Sequence, residues 1–333
     1  MGKYQPSILI VKYQDIMEPS ELVTNNLTDA EQSLFDSLPG PPVSAVIRST
    51  NIWIIEWLSS DEQRTGKLLH EWMQEHRRGW SVYSTCACKK EVLSSIERAT
   101  NLAKASGMIP VLHLEAHGNE MCLGLSDGNG GVEVLTWDEL TEPLQGLNLA
   151  TCCNLVVVVA ACIGFAGIKA LVRGPRAPAI ALVGPNSPIM SGSLLSGTKE
   201  FYKCWMDGNP NFAEIAASAS REAGTVSFAW EPFAILAYDA LAEQLIISMR
   251  QDQQRMQVHR IRQQMVEQNR WSAAEIEHRL SLLTPSLQMN LVQRLWDEMF
   301  MIDLYPENRE RFGVNWAREI EMVLNLKCLI RGT

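Results

Sequence analysis

Short, almost wholly apolar runs recur through the first two thirds of the chain, separated by amphipathic segments. Asn51 to Leu58 (NIWIIEWL), Ser81 to Cys86 (SVYSTC), Ile109 to Ala116 (IPVLHLEA), Val156 to Ala161 and Ala179 to Val183 are too short for helices and rich in β-branched or aromatic residues, which predicts strands. Between them, Asp61 to His76 carries Leu68, Leu69, Trp72 and Met73 at helical spacing, and Glu91 to Ala105 carries Val92, Leu93, Ile96 and Ala99 likewise. From Glu120 to Trp137 two apolar stretches flank Asp127-Gly128-Asn129-Gly130-Gly131, a hairpin signal, and Thr136 or Asp138 then offers a cap for a helix reaching Leu147. Further helices are predicted at Phe165 to Val172, Ser193 to Trp205 and Asn211 to Ala223.

The alternation predicts an α/β domain over residues 45–228: a mostly parallel sheet with helices on both faces, doubly wound with right-handed crossovers. Beyond it the character changes. Tyr238 to Gln268 reads as one long helix whose second half is rich in Gln and Arg with a thin stripe of Met249, Met256, Ile261 and Met265. Ser272 with Glu275 fits a capping box, Thr284-Pro285 opens another helix, and two more are expected around Tyr305-Pro306, making residues 229–333 a C-terminal helical subdomain. Residues 1–44 form an N-terminal extension, with a short strand at Ile8 to Tyr13 and a mobile connector from Glu18 to Pro42.

Composition narrows the function classes. The 333 residues are 46% hydrophobic and 20% charged, ordinary for a globular chain, and a net charge of −9 disfavours a protein built to neutralise nucleic-acid phosphates. Eight cysteines without a secretory leader point to a reducing cytoplasm, and Pro6 spoils what otherwise begins like a myristoylation signal. Asn154 to Val172 has the length of a membrane span. Four consecutive valines, Gly164 and Gly167 instead predict a buried strand, a turn and a helix.

Two predicted strands end in reactive residues followed by glycine: His117-Gly118 and, 45 residues later, Cys162-Ile163-Gly164. In open α/β sheets, functional groups gather at the carboxyl ends of strands, so neighbouring strands would bring the pair together. A free thiol with a pKa of about 8.5 is mostly protonated at neutral pH, and an adjacent imidazole can take its proton. Backbone N–H groups of Gly118 and Cys162 are candidates for an oxyanion hole in acyl transfer. Neither cofactor nor metal is called for: Cys86-x-Cys88 and Cys152-Cys153 lack zinc-site spacing, and glycine-rich nucleotide fingerprints are absent.

At these residues the sequence resembles the caspase-like cysteine peptidases, in particular their CHAT branch, in a clan that includes separase. The resemblance rests on a strand ending LEAHG, a hairpin with a central Asp-Gly, a short helix, the strand VVVVAACIG, and the later segment VGPNSP…FYKCWMDGNPNFAEIAASA. It implies a caspase-like fold and a cysteine endopeptidase whose His117 and Cys162 form the dyad, acting on a partner protein, in prokaryotes often in antiviral defence or cell death. It also implies a substrate pocket near Ala160 and Asn186. Relatives that prefer basic residues carry an acid two positions before the cysteine, where this chain has Ala160, so an uncharged or mixed P1 preference is expected.

The same residues allow other readings. His113 and Glu115 share the alternation face of His117 and could orient it, although mid-strand polar groups are more often satisfied structurally. A catalytically inactive scaffold would use its C-terminal helices to dock a partner, and an active enzyme could use the same helices for an activating or regulatory protein. Arg250, Arg255, Arg260 and Arg262 suggest a nucleic-acid face only weakly, since charge runs are usually solvated helix surfaces.

Overall fold

The apolar runs become the central layer of the molecule, and all but the edge run at Ser81–Thr85 are mostly closed to water on both faces. The computed structural model describes residues 27–41, 48–126, 132–168, 176–209, 211–224, 227–248, 262, 263, 272, 275, 285–319, 321 and 322. In chain order these form α1 (Asp29–Asp36), β1 (Asn51–Trp57), α2 (Thr65–His76), β2 (Ser81–Thr85), α3 (Lys89–Ser106), β3 (Pro110–Gly118), β4 (Cys122–Ser126), β5 (Val132–Thr136) and α4 (Trp137–Ala150). There follow β6 (Val156–Ala160), a 3₁₀ turn (Gly164–Ala166), β7 (Ala181–Pro185), α5 (Ser191–Met206), α6 (Phe212–Ala223), β8 (Phe228–Pro232) and α7 (Phe233–Ser248). The last elements are α8 (Pro285–Met299), a second 3₁₀ turn (Pro306–Asn308) and α9 (Arg309–Phe312).

The protein is α/β, with a mostly parallel mixed sheet in the order β2-β1-β3-β6-β7-β8. Only β8 runs antiparallel within that order, while the β4–β5 hairpin branches from the end of β3. Every residue of β1, β6 and β7 is buried, which is why these strands read as continuous apolar runs rather than as alternation. Helices α2, α5 and α6 pack together on one face, and α3 and α4 on the other.

Several boundaries differ from expectation for identifiable reasons. The helix predicted from Asp61 starts at Thr65, because its first free N–H groups are taken by a strand: Glu56 of β1 accepts from Gly66 N at 2.7 Å and Lys67 N at 3.3 Å. Asp61 and Glu62 are thereby left in the preceding turn. The predicted helix at Phe165 to Val172 begins instead as the 3₁₀ turn at Gly164–Ala166, and 169–172 lie outside the described residues. Strand β8 was not foreseen; it adds Phe228–Pro232 to the sheet across the expected domain boundary at 228, and α7 begins at Phe233 rather than Tyr238. The expected connector contains α1, held by a Thr28–Glu31 capping box and packed through Leu34 near Ile246 of α7. Thr136, with Glu139, is the cap of α4. The Ser272–Glu275 capping box is formed.

The strand at Ile8 to Tyr13, the hairpin turn 127–131, the Met249, Met256, Ile261 and Met265 stripe, and Arg250, Arg255 and Arg260 lie outside the described residues. Among the described residues, no helix is long and apolar enough to cross a membrane.

The C-terminal helices dock at the amino-terminal edge of the sheet. Arg176, just before β7, pairs with Asp303 through both terminal nitrogens at 3.0 and 2.8 Å and donates to the Glu298 carbonyl. Arg311 donates to the Cys153 carbonyl, just before β6, and Tyr305 to that of Leu149 in the last turn of α4. Trp296, Phe300, Phe312 and Trp316 join the same apolar core as the sheet.

Candidate active site

The carboxyl edge of the sheet carries the residues singled out in the sequence. Strand β3 stays in parallel register with β1 as far as Trp57 opposite Ala116, and with β6 as far as Glu115 opposite Ala160. The parallel pairing stops there, with His117 and Cys162 each two positions further along their own segments. There β3 leaves the parallel sheet, and His117 and Gly118 pair with Gly124 and Leu123 of the hairpin. The two strand ends touch: a Cβ placed on Gly118 would lie 2.9 Å from the Ala161 Cβ and 3.0 Å from the Cys162 carbonyl oxygen.

Cys162 is aimed from this edge by a tight reversal. Ile163 takes a left-handed φ of +54°, unusual for a β-branched residue, and the Gly164 N–H returns to the Ala161 carbonyl at 3.1 Å. Only glycine fits at 164, since a Cβ there would meet the Val159 carbonyl oxygen at 2.6 Å. Local strain held beside a reactive side chain is a recurrent feature of functional sites.

No family model matches this sequence, and comparison with curated proteins finds no match.

Both reactive side chains have partners contributed by adjacent loops. The exposed His117 ring meets the Glu62 carboxylate through Nε2 at 2.5 Å. The half-buried Cys162 sulfur lies against the Ile189 backbone, accepting its N–H at 3.5 Å and facing its carbonyl oxygen at 3.6 Å. Ser191 donates to Gln63 Oε1 at 3.0 Å, joining the loop of Ile189 to the loop of Glu62. Among the described residues, no hydrogen bond joins His117 directly to Cys162.

Of the remaining expected site residues, Gly118 lines the contact between the strand ends. Ala160 is only 1% exposed, enclosed within the sheet. Asn186 is exposed just beyond β7, with its N–H donated to the Ser227 carbonyl. His113 and Glu115 form a separate buried network: His113 joins Tyr202 at 3.0 Å and Glu115 at 2.9 Å, and Thr65 donates to Glu115 at 2.5 Å. All four groups are buried and satisfied, so they tie β3 to α2 and α5. Neither makes a hydrogen bond to His117 among the described residues.

Burial pushes the Cys86 thiol up to about 11 and the Cys153 thiol up to about 12, and burial also raises Cys204. Those thiols stay protonated and inert at neutral pH. Among the described residues, no cluster of three metal-binding side chains occurs.

Glu62 and Ile189 were missed in the sequence. Glu62 read as part of an amphipathic helix, and only its exclusion from α2 frees it to face β3. Ile189 acts through its backbone, which leaves no residue-type signal.

Proposed function

We propose that the protein is a caspase-like cysteine endopeptidase of the CHAT type, with His117 as general base and acid and Cys162 as nucleophile. The observation that carries this reading is the close approach of the two strand ends, Gly118 against the Cys162 backbone, which puts His117 and Cys162, 45 positions apart in the chain, at the same edge of the sheet.

In this reading the Cys162 S–H proton passes to the imidazole, and the thiolate attacks the scissile carbonyl to form a C–S bond. The backbone N–H groups of Gly118 and Cys162 stabilise the oxyanion. As the C–N bond breaks, the imidazolium returns its proton to the departing amine, leaving a thioester. Water then attacks the thioester, giving up a proton to the imidazole, which returns it to sulfur as the carboxylic product leaves. The Ile189 N–H, aimed at sulfur, supports the thiolate. The substrate is a partner protein; Ala160, enclosed within the sheet, does not reach its P1 side chain, so the expected pocket at that position is not formed by Ala160. The C-terminal helices, docked at the opposite edge of the sheet, suit regulation by a protein partner better than direct contact with the scissile bond.

A second reading, an inactive caspase-like scaffold, draws on the engagement of His117 and Cys162 with separate partners. Two assays decide between them. Digestion of a proteome-derived peptide library should yield new termini that vanish in Cys162→Ala and His117→Ala variants, both folded by circular dichroism. Alkylation of Cys162 by iodoacetamide at neutral pH should slow in His117→Ala. Termini that survive both substitutions, or alkylation indifferent to His117, would overturn the dyad.

A further inference from the structure

The sheet order gives this edge a special point. From β1 the chain winds outward to β2, then crosses back to lay β3 on the other side of β1, so the direction of winding reverses between β1 and β3. At such a reversal the loops beyond the two strands part in opposite directions and leave a crevice. Glu62, in the turn after β1, and His117, at the end of β3, face each other across it at 2.5 Å.

The Glu62 carboxylate is fixed rather than free. Its second oxygen accepts the Ser59 N–H at 2.8 Å, while the Glu62 N–H returns to the Ser59 carbonyl at 3.2 Å. The next residue, Gln63, is held by Ser191 from the loop that carries Ile189, so the turn is anchored towards both halves of the dyad. A carboxylate accepts hydrogen bonds and cannot donate them, so the ring nitrogen it faces must carry the proton. Nε2 is therefore N–H, and Nδ1 is left as the basic nitrogen.

We propose that Glu62 is the positioning residue of the dyad, fixing His117 as the Nε2–H tautomer so that Nδ1 receives the Cys162 proton. Glu62 touches no reacting atom. It acts through the ring, by orientation and by offsetting the positive charge that the imidazole gains with the thiol proton. The side chains are 35% and 54% exposed, so the charge effect is screened and orientation is the larger part. The inference rests on the peptidase reading for its purpose but not for its geometry.

The test uses the full chain and three variants, Glu62→Gln, Glu62→Asp and Glu62→Ala, each checked for folding by circular dichroism. Nitrogen-15 NMR at a pH above the imidazole titration reports the His117 tautomer, with the resonance assigned by its loss in His117→Ala. The parent should show a single Nε2–H form. Glu62→Gln, whose amide oxygen still accepts, should keep it, and Glu62→Ala should give a mixture. The rate of Cys162 alkylation by iodoacetamide at pH 7 should fall about two- to fivefold in Glu62→Ala, the range for an exposed charge pair, and recover partly in Glu62→Asp. A parent ring protonated on Nδ1, or a tautomer and alkylation rate unchanged in Glu62→Ala, would overturn the proposal. Because neither readout needs a substrate, loss of the tautomer in a protein that cleaves nothing would sustain Glu62 and sink the peptidase. Cleavage unaffected by Glu62→Ala would do the reverse.

Discussion

Replacing Gly118 by alanine tests the contact on which the site depends. The added methyl would lie 2.9 Å from the Ala161 Cβ, 3.0 Å from the Cys162 carbonyl oxygen and 3.3 Å from the Leu123 Cδ2. Neither of the two closest atoms is the end of a flexible side chain: one is a methyl fixed to the backbone and the other is backbone. Relief requires the ends of β3 and β6 to separate by several tenths of an ångström. Forcing a methyl into a filled interior costs about 1–3 kcal/mol. With a urea m-value of roughly 3 kcal/mol per molar, a cost of about 2 kcal/mol lowers the unfolding midpoint by about 0.7 M. The same chemical change at Gly146 of α4, where a Cβ meets nothing within 4 Å, should instead stabilise by up to about 1 kcal/mol through helix propensity. Urea titration followed by tryptophan fluorescence measures both, and Cys162 alkylation in the folded Gly118→Ala protein reports the displaced nucleophile. If Gly118→Ala unfolds at the parent midpoint, or shifts upward as Gly146→Ala should, the two strand ends are not in contact and the convergence of His117 with Cys162 loses its footing.

Two further outcomes follow from the same physics. Glu56 is fully buried and accepts from Arg64 Nε at 2.6 Å, Tyr83 OH at 2.5 Å and Gly66 N at 2.7 Å, so Glu56→Ala should cost about 3 kcal/mol in urea unfolding by orphaning donors at the start of α2; a loss below about 1 kcal/mol would count against that role. Burial, reinforced by nearby Asp239, raises the Glu231 carboxyl above its usual range, so folding above that raised value carries the cost of a half-buried charge and stability grows as pH falls through it towards the unfolded value of about 4.3. Glu231→Gln should therefore unfold at higher urea than the parent at pH 8 and match it near pH 4, and an advantage that persists at pH 4 would contradict the linkage.

Much of the frame was written in the order of residues. The runs at 51–58, 109–116 and 156–161 specified buried strands because β-branched and aromatic side chains satisfy a sheet covered on both faces, and amphipathic spacing supplied the covering helices. Glycine after His117 and near Cys162 marked where backbone must approach backbone, and the Thr136 and Ser272 caps were legible because capping is a local exchange of hydrogen bonds. Strand β8 was not, since Phe228–Pro232 is short, half-buried and made a strand by pairing with β7 rather than by its own pattern.

What tertiary structure alone decided is which groups meet. Sequence named His117 and Cys162 as strand-end residues, but strand order made β3 and β6 neighbours, and their shared register ends two residues short of both. Glu56 moved the start of α2, an interaction across ten residues that no local cap could announce, and so released Glu62 to face His117. Ile189 reached the sulfur with backbone atoms that every residue possesses. Local preferences are properties of neighbours in the chain, whereas the site is made of neighbours in space, and only closure of the sheet converts one into the other.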